Sequence, residues 1–151
     1  MSDKVFLDTN LWIYLYSDKV KGRKIKQLVT ERFEDVVVST QVLGELFHVL
    51  TKKGLKEKKE AREIVSEIAG HFHVAPVSLP TVIHAINLHV KHGYSYWDCL
   101  IISAAMENGC KLLYSEDLQG DHVQFARSDG GEVVGEAEVV VEGLAGEGET
   151  S

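Results

Sequence analysis

Short apolar runs alternate along this chain with longer stretches whose apolar positions recur at three and four residues. Val5-Phe6-Leu7, Val36-Val37-Val38 and Leu112-Leu113-Tyr114 are β-rich and flanked by polar residues. They predict buried strands over Lys4–Leu7, 36–38 and Lys111–Tyr114. Between them, Ile25, Leu28, Val29 and Phe33 suit a helix over Arg23–Phe33. Val42, Leu46, Val49 and Leu50 form a stripe on a helix over Gln41–Lys53, with Ser39-Thr40 as its cap and Gly54 as its stop. Ala61, Ile64, Val65 and Ile68 mark one face of a charged helix over Lys56–Gly70. Further helices are expected at Leu11–Tyr16, starting near Asp8, at Pro80–His92 before Gly93, and within YSYWDCLIISAAMENG (94–109). Short strands are expected at Val74–Val77 and near His122–Phe125, with a polar turn over Ser115–Gly120 between the last two strands. Strands alternating with helices at this spacing predict an α/β fold, a parallel sheet covered on both faces.

Length and composition narrow the class. One domain with a full core fits 151 residues, and 26% charged residues describe an ordinary globular chain. No apolar run reaches the length of a membrane span, and MSDKVFLDTN has no signal-peptide apolar region. Cys99 and Cys110 offer neither a metal spacing nor a disulfide framework, so a reducing cytoplasm is the expected location. The net charge of −7 is unevenly placed. Residues 127–151 hold seven acids and one base, leaving 15 bases against 16 acids in residues 1–126. The body is close to neutral, so acidity does not exclude a polyanionic partner. The expected organisation is a domain over 1–126 and an acidic Gly/Glu/Val-rich extension over 127–151, either a tail or, at Glu136–Glu142, an extra edge strand.

Four acids interrupt this pattern. Open parallel sheets bind ligands outside the carboxyl ends of their strands. Asp8 follows the first strand at once, and Asp117 follows the Leu112–Tyr114 strand within three residues. Glu45 lies one to two turns into the helix after the second strand, and Asp98 lies in the first turn of the apolar helix. All four can therefore reach one crevice. Each also has a plain structural explanation. Asp8 caps a helix, Ser95-Tyr96-Trp97-Asp98 resembles a capping box, Asp117 suits a turn, and Glu45 suits a solvated helix face. A cap does not explain Glu45, set between Gly44 and Leu46. Clustered carboxylates raise one another's pKa unless a cation joins them, and all-oxygen donors suit Mg²⁺ or Mn²⁺ better than zinc or copper. The matching chemistry is metal-assisted attack of water on a phosphate ester.

DTN at 8–10, GEL around Glu45, YWDCLIISAA at 96–105 and LLYSEDL at 112–118 together resemble a PIN-domain ribonuclease, in particular the VapC-type toxin of toxin–antitoxin pairs. The resemblance covers roughly residues 4–125. It implies a three-layer α/β/α sandwich with a mostly parallel central sheet and an acidic pocket for one or two Mg²⁺ or Mn²⁺ ions. It places Asp8, Glu45, Asp98 and Asp117 at the catalytic and metal-binding positions, with Ser115 and Asn10 supporting them. It also implies an RNA substrate, products with a 5′-phosphate and a 3′-hydroxyl, a homodimer and a cognate antitoxin. One departure is plain: the chain continues through GGEVVGEAEVVVEGLAGEGETS, which has no counterpart in that family's pattern.

Other signals compete. His71 and His73, and His89 and His92, fall at helix ends without a zinc spacing. A histidine-based ribonuclease would leave a cyclic phosphate and ignore EDTA. KVKGRKIK (19–26) and KKGLKEKKEAR (52–62) read as solvated faces that can also touch RNA phosphates. Trp12, Tyr14, Tyr16, Tyr96 and Trp97 suit a core or interface, with base stacking the sharper alternative for Tyr96 and Trp97 beside Asp98. A Mg²⁺-dependent phosphatase of the haloacid dehalogenase type also opens on a strand ending in Asp, but it wants a second Asp where this chain has Asn10. A PIN fold that has lost cleavage and serves as a binding or dimerisation module is the alternative from a different class.

Overall fold

Val5, Phe6 and Leu7 have no solvent exposure. They sit in the central strand, β1 (Lys4–Leu7), of a computed structural model that describes residues 3–115 and the backbone of strands 122–126 and 133–140. β2 (Val36–Ser39) and β4 (Cys110–Tyr114) flank β1, both parallel to it, and β3 (His73–Ala75) extends the sheet beyond β2. Strands buried on both faces read as unbroken apolar runs, which is why Val5–Leu7 and Val36–Val38 show no alternation.

The helices follow their stripes. They are α1 (Thr9–Ser17), α2 (Lys19–Glu31), α3 (Thr40–Lys52), α4 (Lys58–His71), α5 (Leu79–His92) and α6 (Tyr96–Glu107). α2 starts at Lys19, earlier than the expected Arg23, because the Asp18 carboxylate accepts from the amides of Val20 and Lys21 and caps it there. Gly22 lets α2 cross α1 closely: a Cβ there would stand 2.8 Å from the Tyr14 carbonyl oxygen. α6 is the exception to the striped pattern, since its residues 99–105 are buried all round.

The six-stranded order is β3-β2-β1-β4-β6-β5, with β5 (His122–Ala126) antiparallel to β6 (Val133–Val140) and every other pair parallel. β6 therefore lies inside the sheet, between β4 and β5, and not at its edge. The extended pattern of residues 133–140 specifies a strand but not its neighbour. The layers form an α/β/α sandwich. From β1 the chain steps one way to β2 and β3, and then returns past β1 to β4. Right-handed crossovers put the helices of those two excursions on opposite faces. The strand order thus reverses between β1 and β4, where such sheets open a crevice.

Candidate active site

The β1/β4 switch point is closed by backbone and side chain together. The Asp8 amide donates to the Tyr114 carbonyl at 2.9 Å, so the two strands stay paired to their ends. One residue further, the buried Ser115 hydroxyl donates to Asp8 Oδ2 at 2.9 Å. Asp8 is the N-cap of α1, and its Oδ1 accepts from the Thr9 amide at 2.7 Å. Capping and crevice therefore claim the same carboxylate, one oxygen each.

Thr9 joins a second acid to this edge. Its hydroxyl donates to Glu45 Oε1 at 3.1 Å, across 36 positions of sequence. Glu45 stands with Gln41 and Val49 at four-residue steps on α3, and this face lines one wall of a cleft of about 210 Å³. Asp8, Thr9, Asn10 and Ile13 of the β1–α1 junction form its floor, and Trp97, Asp98 and Ile101 of α6 form the other wall. Ser95 caps α6 by accepting from the Asp98 amide at 3.1 Å, which holds the first turn and Asp98 in place.

The structure thus brings Asp8, Glu45, Asp98 and Asn10 to one cleft and ties Ser115 to Asp8. Asp117 lies outside the described residues. Glu45 is exposed at the rim, Asp98 is half-buried, and Asp8 is buried. Sequence reasoning missed Thr9 and Gln41. Gln41 was findable, since it sits one turn before Glu45 on the same face; the Thr9–Glu45 contact was not, since it spans two elements.

Burial pushes the Asp8 carboxyl above the usual range. The hydrogen bonds from Ser115 and Thr9 pull it down, and the charges of Asp98 and Glu45 push it up again. Among the described residues no Lys or Arg lines the cleft to offset three carboxylates. The missing positive charge, the oxygen-only donor set and the open lone pairs of Asp8 fit a hard divalent ion. Among the described residues no three His, Cys, Asp or Glu side chains are arranged to hold a metal by themselves. Mg²⁺ suits that looseness, because it keeps several waters and shares phosphate oxygens with its substrate.

The sequence profile of the PIN domain matches residues 5–126. This chain belongs to the PIN domain family. The match ends with β5, so β6 lies beyond it. No curated protein sequence matches the chain. Among solved structures, the fold of this PIN domain resembles VapC20 of Mycobacterium tuberculosis, a sarcin-ricin-loop-cleaving toxin. That likeness has 21% identity and a TM-score of 0.64, over 78% of this chain and 92% of that one. A DNA-bound VapBC from Salmonella typhimurium is similar at 17% identity and a TM-score of 0.65, over 92% and 98% of the two chains. A toxin–antitoxin complex from Klebsiella pneumoniae shares 18% identity at a TM-score of 0.61, over 76% and 87%.

The remaining signals resolve mostly to packing. Trp12 is wholly buried, and His71, His73, His89 and His92 are exposed at or near helix ends. Cys99 and Cys110 are free and buried, their thiols pushed up to about 11 and about 12 by that burial. No described helix is long and apolar enough to cross a membrane.

Proposed function

We propose that this PIN domain is a Mg²⁺- or Mn²⁺-dependent endoribonuclease, the toxin of a toxin–antitoxin pair acting in the cytoplasm. The observation that carries the reading is the buried Asp8 facing Glu45 and Asp98 across one cleft at the sheet's switch point. Asp8, Glu45 and Asp98, with Asp117 as the fourth acid, would hold the ion. When bound, it supplies charge neutralisation on the phosphoryl oxygens and a more acidic water.

The chain's own residues orient and move protons. Ser115 and Thr9 each donate to one oxygen of Asp8, which fixes the plane of that carboxylate. Thr9 also holds Glu45 Oε1, leaving Oε2 at the open rim to take the proton of the attacking water. Asn10 orients the substrate from the cleft floor. The phosphodiester then breaks to a 5′-phosphate and a 3′-hydroxyl. No histidine enters the scheme.

The fold's likeness to structures solved as toxin–antitoxin complexes supports an antitoxin partner. A homodimer has a ready face in α5, where Leu79, Ile83, Ile86 and Val90 are exposed at helical spacing. The acidic extension over 127–151 is proposed to be an addition to the 1–126 nuclease domain, since the family match stops at 126.

The deciding experiment incubates the purified protein with RNA in Mg²⁺ or Mn²⁺, with and without EDTA, beside Asp8→Asn. Cleavage that EDTA stops and Asp8→Asn lacks, with 5′-phosphate ends, is the expected result. Cleavage that ignores EDTA and leaves cyclic phosphates would overturn the scheme.

A further inference from the structure

We propose that Trp97 is the platform on which the nucleobase beside the scissile phosphate stacks. This inference rests on the ribonuclease reading and names a substrate-positioning residue of the same site. Trp97 is 64% exposed, although it is a large apolar residue, and it lines the cleft next to Asp98. Such exposure costs hydrophobic free energy that a core position would recover.

The indole is braced, not loose. Tyr96 meets it edge-on, with ring centroids 5.2 Å apart and planes at 69°. Gln41 Nε2 donates to the Trp97 carbonyl at 3.3 Å, tying the start of α6 to the α3 wall. Gln41 Oε1 is buried and has no partner among the described residues, so this tie is kept at the expense of an unmet acceptor. A rigid aromatic face at a cleft rim loses little freedom when a flat ring lands on it.

Charge points the same way. Among the described residues the lining holds three carboxylates and neither Lys nor Arg, so its side chains do not attract the sugar–phosphate chain. An uncharged surface adds grip beside the reacting phosphate, and Trp97 is the largest one in the described lining. Every base has a face to stack, whereas a base inside a helix already spends both faces on its neighbours. Duplex RNA therefore leaves the indole without a partner.

The two tryptophans make the test direct, because Trp12 is wholly buried and Trp97 is not. The wild-type protein in Ca²⁺ is titrated with a single-stranded RNA oligonucleotide and with the same sequence as a duplex, and tryptophan emission is followed. The single strand should quench emission and the duplex should not. Trp97→Ala should weaken oligonucleotide binding roughly ten- to hundredfold, with Trp97→Phe recovering part of the loss. In Mg²⁺ the same variant should raise KM more than it lowers kcat. Equal binding and equal KM for Trp97→Ala would overturn the stacking role while leaving an active wild-type nuclease untouched. Emission that responds only to protein concentration would overturn it too, placing Trp97 between copies of the chain. RNA left uncut by the wild type in Mg²⁺ or Mn²⁺ would instead sink the ribonuclease reading, and the quench is scored without any cutting.

Discussion

Two strand-to-helix junctions stand side by side in the sheet, and they solve the same problem differently. At the end of β2, Ser39 is wholly buried and its hydroxyl accepts from the Val42 amide at 3.2 Å, starting α3. At the end of β1, Asp8 starts α1 by accepting from Thr9. Serine caps a helix about as well as aspartate and brings no charge to desolvate. Asp8 carries that charge into a buried position where two further carboxylates oppose it. Helix initiation does not require this. The contrast supports the proposal that the Asp8 charge serves a bound cation in the cleft beside it.

Exchanging the two caps breaks the comparison most sharply. Asp8→Ser copies the second junction onto the first, keeping a cap and deleting the carboxylate. RNA cleavage should fall about 10²–10³-fold or more, on the scale of losing a preorganised electrostatic group, while far-ultraviolet circular dichroism stays native. Retained activity would show that the two junctions are equivalent after all. The reverse exchange, Ser39→Asp, sets a carboxylate at a site with no exposure. It should cost roughly 1–3 kcal/mol of stability or more, read as a lower urea midpoint. An unchanged midpoint would mean that the β2 junction tolerates charge as well as β1 does.

Ser115→Ala sharpens the comparison by removing one of the two donors that make the β1 junction bearable. Without that hydrogen bond the Asp8 carboxyl rises further, and the acid limb of the cleavage pH profile should move to higher pH. Cleavage at neutral pH should drop by about tenfold, the scale of one hydrogen bond to a charged group. A profile that does not move would separate Ser115 from Asp8 ionisation.

The smallest effect is in stability against pH without metal. The folded-state pKa of Asp8 is raised above its ordinary 3.8, so its ionised form costs stability at neutral pH. As pH falls through the raised value, the wild type should gain stability relative to Asp8→Ser, and the gain should be complete below 3.8. Mg²⁺ at neutral pH should raise the melting temperature of the wild type and not that of Asp8→Ser. A melting-temperature difference between the two that stays constant with pH would show that Asp8 is not strained by its charge.

Local physics made much of this readable in advance. Val5–Leu7 and Val36–Val38 are unbroken because both faces are covered, and Gly93 and Gly109 end α5 and α6 at φ of 75° and 69°. Spacing alone put Glu45 on α3 and Asp98 in the first turn of α6. Other features escaped. The helix carrying Lys19–Glu31 began four residues early because its apolar stripe starts later than its cap at Asp18. The stretch over Glu136–Glu142 was expected as either a tail or an edge strand, and β6 lies between β4 and β5, since an extended segment specifies its own conformation and not its partner.

Residue order on its own indicated most of the strands and helices and named the candidate acids, because periodicity and contacts within a few positions carry that much. Which acids meet was decided by topology. Asp8, Glu45 and Asp98 share a cleft only because the strand order turns back between β1 and β4. Thr9 reaches Glu45, and Ser115 reaches Asp8 across 107 positions, through packing that no local pattern encodes. The charge state of Asp8 belongs to the same level, since burial and neighbouring carboxylates exist only once the sheet has closed around it.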